Sequence, residues 1–103
     1  MSRERRIKTK SILSKHPNRC FLCGSSRMLE KHHVFGGANR TKSEKYGLTV
    51  MLCHDCHNEP PRGVHHNAVA MKQLKARAQR KAMESFGWDV EDFVTAFGKN
   101  YLD

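Results

Sequence analysis

Two short apolar runs and two helical stripes carry the hydrophobic pattern of this chain. "RMLEKHHVF" (27–35) has the length and apolar content of a strand. "LTVMLC" (48–53) reads as a second one, with the β-branched residues that favour a pleated surface. "GGANRTKSEKYG" between them predicts a loop too polar to join a core. After "EPPRG" the rhythm changes. Met71, Leu74, Ala78, Ala82 and Phe86 recur at steps of three and four, which predicts an amphipathic helix over 67–86 with Gly87 as its stop. A second helix follows, with Asp89 as N-cap and Glu91 and Asp92 in the first turn. Its stripe is Val90, Phe93, Val94 and Phe97, which could pack on the chain's own helix or on a second copy, and Gly98 ends it. These aromatics are expected in the core and not on a ligand-stacking surface.

Composition adds a direction. At 103 residues the chain predicts one domain, or one small domain with a helical extension, and folds of this size often need a metal or disulfides. A formal charge of +9 favours polyanionic partners, nucleic acid above all. Residues 1–17 form a basic arm, expected as a phosphate-contacting tail or a short solvated helix. The N-terminal stretch lacks the apolar run of a secretory signal and nothing approaches a membrane span, so the expectation is a cytoplasmic protein without a membrane partner. Four cysteines in such a chain point to metal binding more than to disulfides.

Those cysteines form two C-x2-C knuckles, Cys20–Cys23 and Cys53–Cys56. A two-residue gap lets both sulfurs of a knuckle turn toward one ion, and two knuckles complete a tetrahedron that suits zinc. The long gap between them holds a strand and a loop. Thiolates committed this way leave His54, Asp55 and His57 of "CHDCH" over, alongside the pairs His32-His33 and His65-His66. His32 and His33 end the first predicted strand, where adjacent side chains point to opposite faces. One can therefore bind metal while the other faces substrate. His57 falls at the start of a short predicted helix, and the Pro-Pro-Arg-Gly turn could return His65 to its side. His16, His54, Asp55 and His66 are expected to be bystanders or to lie one step removed from a site.

At this point the pattern "C-x2-C … EKHHVFGG … LTVMLCHDCHN … GVHH" resembles the HNH endonucleases, the ββα-metal nucleases, and most of all their zinc-stabilised members of phages and mobile elements. The resemblance covers roughly residues 18–66. It implies an α+β fold with a small, treble-clef-like ββα-metal core over 18–66, a four-cysteine zinc site (Cys20, Cys23, Cys53, Cys56), and two C-terminal α-helices within an extension over 67–103. It also implies a metal-dependent DNA endonuclease, expected to nick. His33 would be the general base, and His32 and His57, with His65 as a further candidate, would hold one divalent ion (Mg2+, Mn2+, Ni2+ or Zn2+). Arg3, Arg5, Arg6, Arg40, Lys42, Lys72, Lys75 and Arg80 would contact the DNA backbone, which positions the strand without reading its sequence. A phage origin would place the protein in the host cytoplasm, with a second copy or a phage protein as further partners. The chain departs from the family pattern in one place. The motif's middle Asn, expected near Gly47 or Leu48, is absent, and Asn39, Ser43 and Tyr46 are the candidates to replace it. The alternative is a catalytically inactive zinc-ribbon module that binds nucleic acid or protein.

Overall fold

Leu29–His33 forms strand β1 and Thr49–Cys53 strand β2, paired antiparallel with His33 opposite Thr49 and Leu29 opposite Cys53. This arrangement is drawn from a computed structural model that describes residues 10–102. The period of two sorts the sheet into faces. Glu30, His32, Val50 and Leu52 share one, and Leu29, Lys31, His33, Thr49 and Met51 share the other. Helix α2 (His54–Asn58) begins where β2 ends, a single turn Val64–His66 follows, and α3 (Ala68–Phe86) and α4 (Val90–Phe97) complete the chain. It is a small α+β protein with one two-stranded sheet and four α-helices among its described residues.

The segment expected to be loop is the first correction. Gly37–Asn39 makes a 3-10 turn and Arg40–Tyr46 a helix, α1, closed by Gly47 in the left-handed region at φ 73°. Nor is it excluded from the core. Ser43 is fully buried because its hydroxyl accepts from the Phe35 amide (3.0 Å) and donates to the Phe35 carbonyl (2.7 Å), so no polar atom is stranded.

The long helix starts where the periodicity placed it, with the Asn67 side chain accepting from the Ala70 amide. Leu74, Ala78 and Ala82 are buried as expected, but Phe86 and Val90 lie 38% and 36% exposed at the facing ends of α3 and α4. Asp89 caps α4 in a reciprocal box with Asp92. Its Phe93 and Phe97 pack against Phe35 and Tyr101 of the same chain, with ring centroids 4.8–6.3 Å apart. Burial of a Phe side chain of this kind stabilises by about 1.5–3 kcal/mol. Gln79, which sequence pattern places among charged neighbours, is fully buried. It ties the C-terminus down by donating to Asn100 Oδ1 and accepting from the Tyr101 amide.

Residues 11–14 rest on the core. The Ser11 hydroxyl donates to the Thr49 carbonyl, the Ile12 amide donates to the Gly47 carbonyl, and Ile12 and Leu13 pack on buried side chains. Arg3, Arg5 and Arg6 lie outside the described residues. No described helix is long and apolar enough to cross a membrane.

Candidate metal centres

The two knuckles meet at the end of β2. Cys53 closes the strand, Cys56 sits in the first turn of α2, and the Phe21 amide, between the first pair of cysteines, donates to the Met51 carbonyl. The four sulfurs lie within 4.8 Å of one another, and Cys23 and Cys53 are 3.6 Å apart. Four thiolates about 2.3 Å from one tetrahedral zinc are spaced at ~3.8 Å, so the cluster has the dimensions of a zinc site. All four cysteines are free of disulfides. Burial pushes the Cys20 thiol up, but amide hydrogen bonds from Cys53, Cys23 and Leu22 outweigh it and hold the group down at about 6. Burial and the neighbouring thiols push Cys56 strongly up. One easily formed thiolate thus sits beside one that resists charge, a mismatch that a dication removes. These cysteines could hold a structural metal such as zinc.

A second cluster lies on the other side of α2. His57 projects from that helix, His32 from the inner face of β1, and His65 from the turn Val64–His66. His32 Nδ1 is 3.3 Å from His57 Nε2, which is 3.1 Å from His65 Nε2. Imidazole nitrogens ~2.0–2.1 Å from a common ion come this close to each other. Burial, then the charges of His57, His65, His33 and Lys75, hold His32 down at about 3, so its ring stays neutral. Burial, then the charges of His57, His66 and Lys75, lowers His65. His32 Nε2 is buried without a hydrogen-bond partner. The chain matches no family model, no curated protein and no solved structure.

What orients these rings comes from residues the sequence did not single out. Glu30 Oε1 lies 2.8 Å from His57 Nδ1, so that nitrogen donates and Nε2 keeps its lone pair for the cluster. The other Glu30 oxygen takes His54 Nδ1 at 3.0 Å, and His54 Nε2 meets Glu59 at 2.9 Å. Hydrogen bonds from His57 and His54 lower the Glu30 carboxyl, and those to Glu30 and Glu59 raise His54. His54 is thus a link in the support of His57. A signal for Glu30 was present, since it lies two residues before His32 and must share its face of the strand.

His33 emerges on the opposite face and meets α1. Its Nε2 lies 3.0 Å from Glu44, which also accepts from Lys31 at 2.8 Å. Burial raises the Glu44 carboxyl, but the bonds from Lys31 and then His33 outweigh it and keep the group ionised. The Nε2–H bond leaves His33 Nδ1 with a free lone pair. Within α1, Ser43 pins the turn to Phe35, and Glu44 orients His33. Asn39 donates to the Phe97 carbonyl and lines the cleft of the histidines, while Tyr46 packs on Phe86, Trp88 and Phe97.

A cleft of about 250 Å3 brings His32, His33 and His65 together with Met71, Lys75 and Tyr101. Lys75 is therefore the predicted backbone contact that joins the histidines. Arg80 lies beside a separate depression with Leu13, Arg77, Lys81 and Glu84. Lys42 donates to the Ala96 carbonyl, Arg40 is exposed at the start of α1, and Lys72 is exposed on α3.

Proposed function

We propose that the chain is an HNH-type, metal-dependent DNA endonuclease with a ββα-metal core. The observation that carries this is a division of labour between adjacent residues: His32 converges with His57 and His65, while His33, held by Glu44, opens into the same cleft. Four thiolates saturate a zinc and leave no room for substrate, so the cysteine cluster is structural and the three histidines are the open site. A divalent ion held by His32, His57 and His65 supplies Lewis-acid neutralisation of the phosphate and of the leaving oxygen.

The chain's own residues supply the rest. His33 Nδ1 takes a proton from the attacking water, and the Glu44 carboxylate stabilises the imidazolium that results. Lys75 adds positive charge in the cleft where the phosphate sits. Imidazole and water donors accept Mg2+, Mn2+, Ni2+ or Zn2+.

The test is nicking of supercoiled plasmid by the purified protein with each of these ions in turn. Wild type nicks with Mg2+ or Mn2+, and His33→Ala abolishes nicking while keeping the wild-type circular dichroism spectrum. Inactivity of wild type with every ion and with both single- and double-stranded substrates would leave the zinc-bound binding module in its place.

A further inference from the structure

A groove of about 510 Å3 runs between residues 10–17 and the free edge of β2, outside both metal clusters. Its position follows from how the N-terminal segment meets the strand. Ser11 is tied to the Thr49 carbonyl and Phe21 to the Met51 carbonyl, two strand positions apart, so the residues after Leu13 must loop out and return between these anchors. Met51 forms its floor with buried Thr49 and Val50 alongside, Pro17 lines it from that loop, and Lys10, Lys15, Lys31, Ser11 and Ser14 stand around it. Among the described residues no acidic side chain lines it, although Glu44 pairs with Lys31 from outside the lining. The volume falls in the ~300–1,000 Å3 range of clefts that take small ligands.

The groove is also in line with the nuclease cleft. Lys31 and Met51 pair across the sheet, as His33 and Thr49 do one step along, and all four share one face. Lys31 and His33 meet on Glu44. A strand whose scissile phosphate lies at His33 would reach the groove within a short stretch of backbone.

We infer that this groove holds an unpaired nucleotide of the DNA strand being cut, with its phosphate on the lysine rim and its sugar and base on the Met51 floor. The choice of occupant rests on charge and on the nuclease reading. Two rim amines, Lys10 and Lys15, beside a third that Glu44 already holds, favour a polyanion. The chain's own first nine residues, with Arg3, Arg5, Arg6 and Lys8 against Glu4, carry the same sign as the rim. An apolar floor asks for more than phosphate. A base within a duplex hides its faces by stacking, whereas an unpaired one can lay a face on Met51.

Binding of a fluorescent single-stranded oligonucleotide, and of the same sequence as duplex, tests this by anisotropy in a His33→Ala background where nothing is cut. Lys10→Gln/Lys15→Gln removes two exposed charges that neither metal cluster uses. It weakens single-strand binding about tenfold or more and flattens the salt dependence by roughly 1.4 in log–log slope. Met51→Ala weakens the single strand more than the duplex, an effect that loss of charge alone does not produce. Unchanged single-strand affinity in the double lysine variant overturns the inference. So does equal loss for both DNA forms in Met51→Ala, or an oligoglutamate peptide that competes as well as the oligonucleotide. Since no cleavage is needed, the two readings fail separately. A wild type that never nicks, with variants that still lose the single strand, removes the nuclease and keeps the groove. A wild type that nicks, with lysine variants that bind as before, does the reverse.

Discussion

Glu30 links the two clusters, because one carboxylate faces both His57 and His54 and each of these follows one of the clustered cysteines in sequence. Its negative charge keeps the proton of His57 on Nδ1, where it is no obstacle to metal binding at Nε2. Asn58 reinforces this by donating to the same oxygen at 3.1 Å. Glu30→Gln keeps a carbonyl acceptor of similar shape but removes the charge, so His57 can take either tautomer. The expected result is a metal affinity at the histidine cluster weaker by about 10- to 100-fold, with zinc at the cysteines unchanged. Competitive titration with Mn2+ or Ni2+ against a chelating dye measures it, and an unaltered affinity would show that the carboxylate is incidental.

At the scale of elements, the helices that could be read from sequence were those long enough to show a period. α3 spans 19 residues and α4 carries a capping box, so stripe, start and stop were all visible. α1 has seven residues and buries only Ser43, and two turns with a polar inner face carry no hydrophobic period. Glu44 was lost with it, since without the helix nothing placed that residue next to His33. The histidine cluster was legible in part for a similar reason: ligand types and spacing can be read locally, but the return of His65 depends on how a turn closes.

Gly47 shows what a short element needs from its neighbours. It ends α1 at φ 73°, and a Cβ there would lie 2.5 Å from the Lys10 carbonyl oxygen and 3.3 Å from the Ile12 amide nitrogen. Backbone cannot yield as a flexible side chain does. Gly87 has the same left-handed geometry, but a Cβ there meets nothing within 4 Å. Gly87→Ala therefore reports the cost of the conformation alone, about 1–2 kcal/mol. Gly47→Ala adds displacement of residues 10–12 and is expected to cost at least ~1 kcal/mol more, within the range of overpacking. Urea unfolding of the two variants side by side checks this, and equal losses would mean that the N-terminal segment does not press on the turn.

For the molecule as a whole, the question is what keeps a two-stranded sheet folded, since a lone hairpin is marginal in water. One contribution is the core of Phe35, Leu48, Leu52, Leu74, Phe93 and Phe97, which packs α3 and α4 against the sheet. Zinc is the other. Cys20 and Cys23 belong to the N-terminal segment, Cys53 ends β2 and Cys56 lies in α2, so an ion there ties three parts of the chain together at one point. Without it the sulfurs are an awkward group to bury, with Cys56 resisting charge and Cys20 accepting it. α3 offers no refuge, because most of a protein helix's stability comes from the packing of its apolar face and not from the helix alone. Removal of zinc by a strong chelator with a thiol-trapping reagent should thus unfold sheet and helices in one cooperative step, seen together in far-ultraviolet circular dichroism and in Trp88 fluorescence. Metal analysis of the native protein should find one zinc per chain that survives dialysis and a second ion that exchanges freely. Two zincs of equal tenacity would contradict the division between thiolate and imidazole sites. Full helicity after zinc loss would show that the apolar core suffices.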